Sequence, residues 1–252
     1  MTENLNKLLK TLHLPGIRSA YEHIGKEAIE NHYGYENYLE RLLEEEISLR
    51  RQNRITRALK TSRLPYEKTI DVFDRTRLGQ KTDQLVSVLL QGDFTDRKEN
   101  VLAFGSPGSG KTHLLCAIGH ELILLDKRVI FYPCAVLIQE LLQAKRELIL
   151  PKYLNKLDKY DAIIIDDIGY VQQDKSEMEV LFTLLADRYE KTSIMISSNL
   201  PFSGWEKIFK DPMITAAAID RLVHHCIILE MNMKSYRLEK SGNILNEKNR
   251  EK

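Results

Sequence analysis

The sequence predicts an α/β protein in which a small all-helical segment precedes a parallel five-stranded sheet covered by helices on both faces. Three observations predict it. Residues 1 to about 64 place apolar side chains at helical spacing and contain no strand-like run. From residue 69 short apolar, β-rich runs recur at 100–105, 128–133, 161–167, 193–199 and 226–231, with helical patterns between them. Continuous apolar strands alternating with helices belong to parallel sheets buried on both faces. The first of those runs ends in "GSPGSGKT" (105–112), a glycine-rich turn that opens the next helix.

The elements follow in order. Leu5, Leu8, Leu9 and Leu12 share one face of a first helix, which "LPG" (14–16) breaks. A second helix is expected over about 17–31. A third covers about 35–62, where Tyr38, Leu39, Leu42, Leu43 and Ile47 recur at three and four. "RLPYEKT" (63–69) reads as a hinge, because the residue before Pro65 is pushed out of the helical region. The expected organisation is a helical DNA- or partner-binding domain over 1–68, a core over 69–241 and a polar, disordered tail over 242–252.

Composition narrows the function classes. The chain has 252 residues and a formal net charge of +1, so no global field draws it to nucleic acid or membrane. No apolar run approaches the roughly 18 residues of a membrane span. The first residues lack a signal-peptide apolar region. Cys116, Cys134 and Cys226 form no CxxC pair, which fits reduced thiols and a cytoplasmic location.

Gly105, Ser106, Pro107, Gly108, Ser109, Gly110, Lys111 and Thr112 match G-x-x-x-x-G-K-[ST] between a predicted strand and a predicted helix. Glycines let backbone N–H groups turn around phosphate, and the helix N-terminus adds partial positive charge. Lys111 is placed to reach the β- and γ-phosphates of a nucleotide such as ATP, and Thr112 to bind Mg²⁺. About 55 residues on, "AIIIDD" (162–167) reads as a buried strand ending in two acids at the ligand-binding edge of a parallel sheet. Asp166 is expected to hold Mg²⁺. Asp167, pointing the other way along the pleat, is expected to orient or deprotonate an attacking water. Two solvated strand-end acids are the plain alternative. Asn199, ending "SIMISSN", offers an amide near the γ-phosphate or simply makes a strand-to-turn junction before Pro201. Arg221 either stabilises γ-phosphate charge or pairs with Asp220 on the surface. His113, Cys116 and His120 share a helix face, but a fourth metal ligand is missing and packing is the preferred reading.

Basic charge is local. "RRQNRITRALKTSR" (50–63) contains no acid, and Arg50, Arg54 and Arg57 fall within about 60° of one another on a helix. Such a stripe can follow a DNA backbone. A solvated face partly neutralised by Glu44, Glu45 and Glu46 is the other reading. A looser set, Lys145, Arg146, Lys152, Lys156 and Lys159, is mixed with acids.

Over nearly its whole length the chain resembles the IstB-like ATP-binding proteins, helper ATPases of insertion-sequence transposition in the AAA+ class and relatives of DnaC-type helicase loaders. The resemblance rests on "LKTLHLPGIRSAYEH" (9–23), "VFD" (72–74), "GSPGSGKTHL", "IIIDDIG", "RYE" (188–190), "SSNLPFSGW" (197–205), "AAIDRLVHH" (217–225) and "SYRL" (235–238), in family order. It implies strand order 5-1-4-3-2, homo-oligomeric assembly on double-stranded DNA and a partner transposase. It also implies Arg221 acting in trans, Asn199 as a sensor and Asp167 as the catalytic acid. Many AAA+ proteins carry glutamate at the place of Asp167, so slow or assembly-dependent hydrolysis is expected. Too little chain follows the last strand for a full helical lid, and Arg237 is the one nearby candidate for the sensor such a lid carries. A helicase loader preferring single strands, a small-molecule kinase indifferent to DNA and a non-hydrolysing adaptor are the competing readings.

Overall fold

A computed structural model describes residues 3–169, 174–209, 211–233 and 235–236. The expected tail at 242–252 lies outside them. The chain forms two compact units, Met1–Ala58 and Leu59–Lys252.

The first unit is built on α1 (Glu3–Thr11), α2 (Pro15–Glu30) and the greater part of α3 (Tyr35–Thr61). Its buried apolar residues are Leu9, Ile17, Ile24 and Leu42, with Leu5, Leu14, Ala20, Tyr21 and Tyr38 packed against them. The "LPG" break does more than end α1. Pro15 occupies the first turn of α2, where a missing N–H costs nothing. Gly16 lets that turn approach α3 so closely that a Cβ would lie 2.7 Å from the Cα of Glu46. The amides of Gly16 and Ile17 donate to Glu46 Oε2 at 2.6 and 3.2 Å. Arg50 Nε donates to Glu46 Oε1 at 2.7 Å, and Arg50 Nη2 to the His13 carbonyl at 3.0 Å. Glu46 is therefore buried at 3% exposure, not part of a solvated acidic flank beside the basic stripe. Burial works to raise its carboxyl, but Arg50 and the two amides outweigh it and hold it below the ordinary value.

In the second unit every strand pairing is parallel. The strands are β1 (Asn100–Gly105), β2 (Val129–Pro133), β3 (Ala162–Asp166), β4 (Ser193–Ser198) and β5 (Cys226–Met231), in order β2-β3-β4-β1-β5. This is the expected 5-1-4-3-2 sheet. Around it lie α4 (Gln80–Leu89), α5 (Asp93–Asp96), α6 (Lys111–Leu124), α7 (Cys134–Arg146), α8 (Leu150–Leu157), α9 (Lys175–Arg188), α10 (Glu206–Phe209) and α11 (Pro212–Val223). α6 buries residues all round, as a helix wedged inside a core must. Asp174 and Glu177 form a capping box that starts α9, and Asp211 caps α11 ahead of Pro212.

The segment read as a hinge is fastened to the second unit. Arg63 donates to Glu140 at 2.8 Å and stacks over Tyr132, Leu64 is 4% exposed, and imidazoles of α6 meet the next carbonyls. His120 Nε2 lies 3.0 Å from the Pro65 oxygen and His113 Nε2 3.0 Å from the Thr69 oxygen. Cys116 between them is buried, and burial pushes its thiol up to about 12. Both imidazoles are thus engaged by backbone carbonyls of the segment that follows Leu64, and the thiol between them packs in the core.

Candidate functional site

The site gathers at the carboxyl ends of β1, β3 and β4. Between β1 and α6 the chain turns through Gly108 at φ 81° and Gly110 at φ 95°, left-handed values that penalise any side chain. A Cβ on Gly108 would also lie 2.2 Å from Ser235 Oγ. Gly110 is the N-cap of α6, so the first amides of that helix head the loop. Lys111 is 5% exposed and its Nζ donates to the carbonyls of Gly105 at 2.9 Å and Ser106 at 3.0 Å. Ser109 Oγ is buried with no hydrogen-bond partner among the described residues.

Opposite the loop, Asp166 Oδ1 accepts from Thr112 Oγ1 at 2.8 Å and from Ser197 Oγ at 2.6 Å. Asp167 is not on the pleat, which corrects the sequence-based reading. β3 ends at Asp166, and Asp167 takes φ 58°, so the chain turns instead of alternating. Its amide donates to Ser197 Oγ at 2.9 Å, and it lines the same cavity as the phosphate loop. Ser197 thus joins both acids, a role the sequence reading missed within "SIMISSN". Asn199 follows β4, and its buried Oδ1 has no hydrogen-bond partner among the described residues. That oxygen lies 2.2 Å from where a Cβ on Gly169 would stand, so glycine after the two acids leaves room for it.

Arg221 on α11 is not among the residues lining this cavity. Its Nη1 donates to the Ala217 carbonyl at 2.9 Å, and its guanidinium lies 5.1 Å over the Phe182 ring. Within one chain it meets neither the phosphate loop nor, among the described residues, Asp220.

The cavity has a volume of about 680 Å³ and runs from Pro107–His113 and Asp167 to Val72, Phe73, Asp74, Arg77, Met233 and Tyr236. Tyr236 donates its amide to the Gly108 carbonyl at 3.1 Å, and Arg77 lies 5.2 Å over its ring. Phe73 meets His113 edge-on at 5.3 Å. "VFD" and "SYRL" carry the signal for this wall, although periodicity alone could not join segments so distant in sequence. Arg237 lies outside the described residues.

The residues fit a magnesium nucleotide. Left-handed glycines and a helix N-terminus form a phosphate cradle, and within it the buried Ser109 Oγ has no hydrogen-bond partner among the described residues. Thr112 and Asp166 are hard oxygen donors of the kind Mg²⁺ takes. Elsewhere, Glu190, His224 and His225 place exposed ligand atoms within 4.8 Å of one another, the one such group among the described residues. Arg50, Arg54 and Arg57 line a concavity in the first unit. In the looser basic set, Lys145 is paired with Glu179 at 2.8 Å. No helix among the described residues is long and apolar enough to cross a membrane.

Comparison with known proteins agrees with this geometry. Residues 7–243 match the IstB-like ATP binding protein family, and the chain belongs to it. An insertion-sequence protein of Sinorhizobium fredii, named for ATP binding, is 41% identical over 92% of this chain and 78% of its own length. The protein named for ATP binding in insertion sequence IS5376 of Geobacillus stearothermophilus is 37% identical over 94% of this chain and 95% of its own. Among solved structures, the DnaC helicase loader superposes with a TM-score of 0.55 at 16% identity, over 67% of this chain and 98% of that one. DnaA from Aquifex aeolicus bound to AMPPCP gives 0.54 at 19%, over 75% and 56%. These two likenesses establish an AAA+ fold.

Proposed function

We propose that the chain is a Mg²⁺-dependent ATPase that assembles as a homo-oligomer on duplex DNA and prepares target DNA for a partner transposase. The observation that carries the reading is the hydrogen-bond chain from Thr112 through Asp166 and Ser197 to the amide of Asp167 beside the phosphate loop. It sets one acid against the metal-binding hydroxyl and turns the other into the cavity. The insertion-sequence names of the relatives support the transposition setting.

Each residue has a share in the chemistry. Backbone amides of residues 105–112 cradle the phosphates, and Lys111 exchanges its bonds to the Gly105 and Ser106 carbonyls for the β- and γ-phosphate oxygens. Thr112 and Asp166 hold Mg²⁺, which when bound neutralises charge on the transferring phosphoryl group. Asp167 accepts a proton from, or orients, the attacking water. Asn199 supplies an amide whose oxygen is already stripped of water. Arg221, absent from its own chain's cavity, serves a neighbour's γ-phosphate. Assembly and hydrolysis are then coupled, with slow turnover off DNA.

The test mixes two variants on duplex DNA. Asp167→Asn retains an intact Arg221, and Arg221→Ala retains an intact site. Each alone should bind ATP yet lose hydrolysis, by about 10³–10⁵ for the arginine. Together they should recover part of the activity. If mixed oligomers form and the activity is only the sum of the two, Arg221 does not act in trans and the proposed coupling fails.

A further inference from the structure

The concavity of the first unit is assembled from all three of its helices. Lys10 comes from the last turn of α1, Arg18 from the first turns of α2, and Arg50, Arg54 and Arg57 from α3, around about 720 Å³. The one carboxylate in the lining, Glu46, is closed off by two amides and Arg50. The anion-attracting N-terminus of α2 is therefore already satisfied from within, and cationic side chains carry the charge of the cup. Arg50 is held on one side by Glu46 and the His13 carbonyl, so its guanidinium is positioned before any partner arrives.

We propose that this cup seats the phosphodiester backbone of duplex DNA, with Lys10 and Arg18 as contacts additional to the α3 stripe. The inference rests on the DNA-binding reading above and gives it a site. Arg50 to Arg57 spans about 10.5 Å of helix, matching about three phosphates at 3.4 Å of duplex axis each. Guanidinium forks suit phosphate oxygens. No Phe, Tyr or Trp lines the cup and His13 is its single ring, so it lacks the row of aromatic platforms on which successive unpaired bases stack, and recognition is of backbone rather than sequence. Its apolar lining is Leu9, Leu14 and Pro15, with Leu9 buried, so the cup holds none of the large aromatic anchors around which protein interfaces are usually built.

The full chain, with ATP present, is titrated with labelled duplexes of two unrelated sequences and with a single strand of equal length, across a salt series. Lys10→Ala with Arg18→Ala should weaken duplex binding roughly 10-fold near physiological salt and lower the log–log salt slope by about 1.8, equally for both sequences. Lys10→Arg with Arg18→Lys, which keeps the charge, should restore both, and ATP affinity should not move. If the wild type binds duplex and the double alanine variant leaves affinity and slope unchanged, the cup is overturned while the DNA reading stands. If the wild type shows no affinity for duplex, both fall. A loss seen only toward an acidic polypeptide such as polyglutamate, with duplex binding intact, overturns the cup as a nucleic-acid site.

Discussion

The two units bury charge in opposite ways. Among the described residues of Met1–Ala58 the buried charge is an acid, Glu46, and four aliphatic side chains are buried around it. In Leu59–Lys252 the buried charges among the described residues are bases, Lys111 of the phosphate loop and Arg188, the latter 1% exposed within a core many times larger. Arg188 donates to the carbonyls of Leu157, Tyr160 and Ser193, gathering the ends of α8 and the starts of β3 and β4. Burial lowers it to about 10, against the pull of Asp158, Asp187 and Asp161, and it stays charged at neutral pH. The lesson is one of proportion. Four buried aliphatics contribute about 1.5–3 kcal/mol each before entropy, so the hydrogen bonds of Glu46 are a large share of what orders the small unit. The same number of bonds at Arg188 trims a core that many other contacts sustain.

The sharpest way to break the comparison is Glu46→Ala. It strands the buried Gly16 and Ile17 amides, at about 1–3 kcal/mol for a donor left unsatisfied, and releases the half-exposed Arg50. Hydrogen exchange should show α1 and α2 losing protection while β1–β5 keep theirs. Equal loss in both units would mean that Glu46 is not the keystone of the smaller one.

Acid should produce a graded version of the same effect. Because the Glu46 carboxyl is depressed in the fold, its support is complete above its ordinary value of 4.5 and is lost as pH falls through the depressed value. Protection of α1 and α2 should therefore fall with pH in the wild type. In Glu46→Gln that dependence should flatten, and an unchanged acid profile would assign the sensitivity to other carboxylates.

The smallest expected effect is at the surface of the large unit. Lys127 pairs with Asp96 at 2.5 Å, an exposed pair of the kind worth about 0–1 kcal/mol. Lys127→Ala should shift the denaturation midpoint barely at all. A shift comparable to that of Glu46→Ala would show that charge matters alike in both regions.

Much of this architecture was legible in the residues. "NVLAFG", "AIIID" and "CIILEM" are apolar without alternation, which is how a strand covered on both faces must read. The phosphate loop is local, since its glycines, lysine and threonine need only the strand before and the helix after. The break at "LPG" was visible, but its reason was not. The same holds for the acid run, because Glu44 lies on the surface against Arg41 while Glu46, two residues on, turns inward. Charge runs report composition, not which member of the run faces a neighbouring helix.

Sequence by itself determined the elements, their order and the glycine-rich loop between β1 and α6, because hydrophobic period and turn chemistry act over a few residues. Only the tertiary structure decided which polar groups meet. Ser197 reaches Asp166 because β4 lies beside β3, in a register that pairs Ile165 with Ile196. Asp167 turns into the cavity because the chain leaves the strand in a left-handed step. Glu46 reaches Gly16 because α2 packs against α3 where no Cβ intervenes. The first and the last are contacts across about thirty residues of chain, set by packing and register, and no local pattern encodes them.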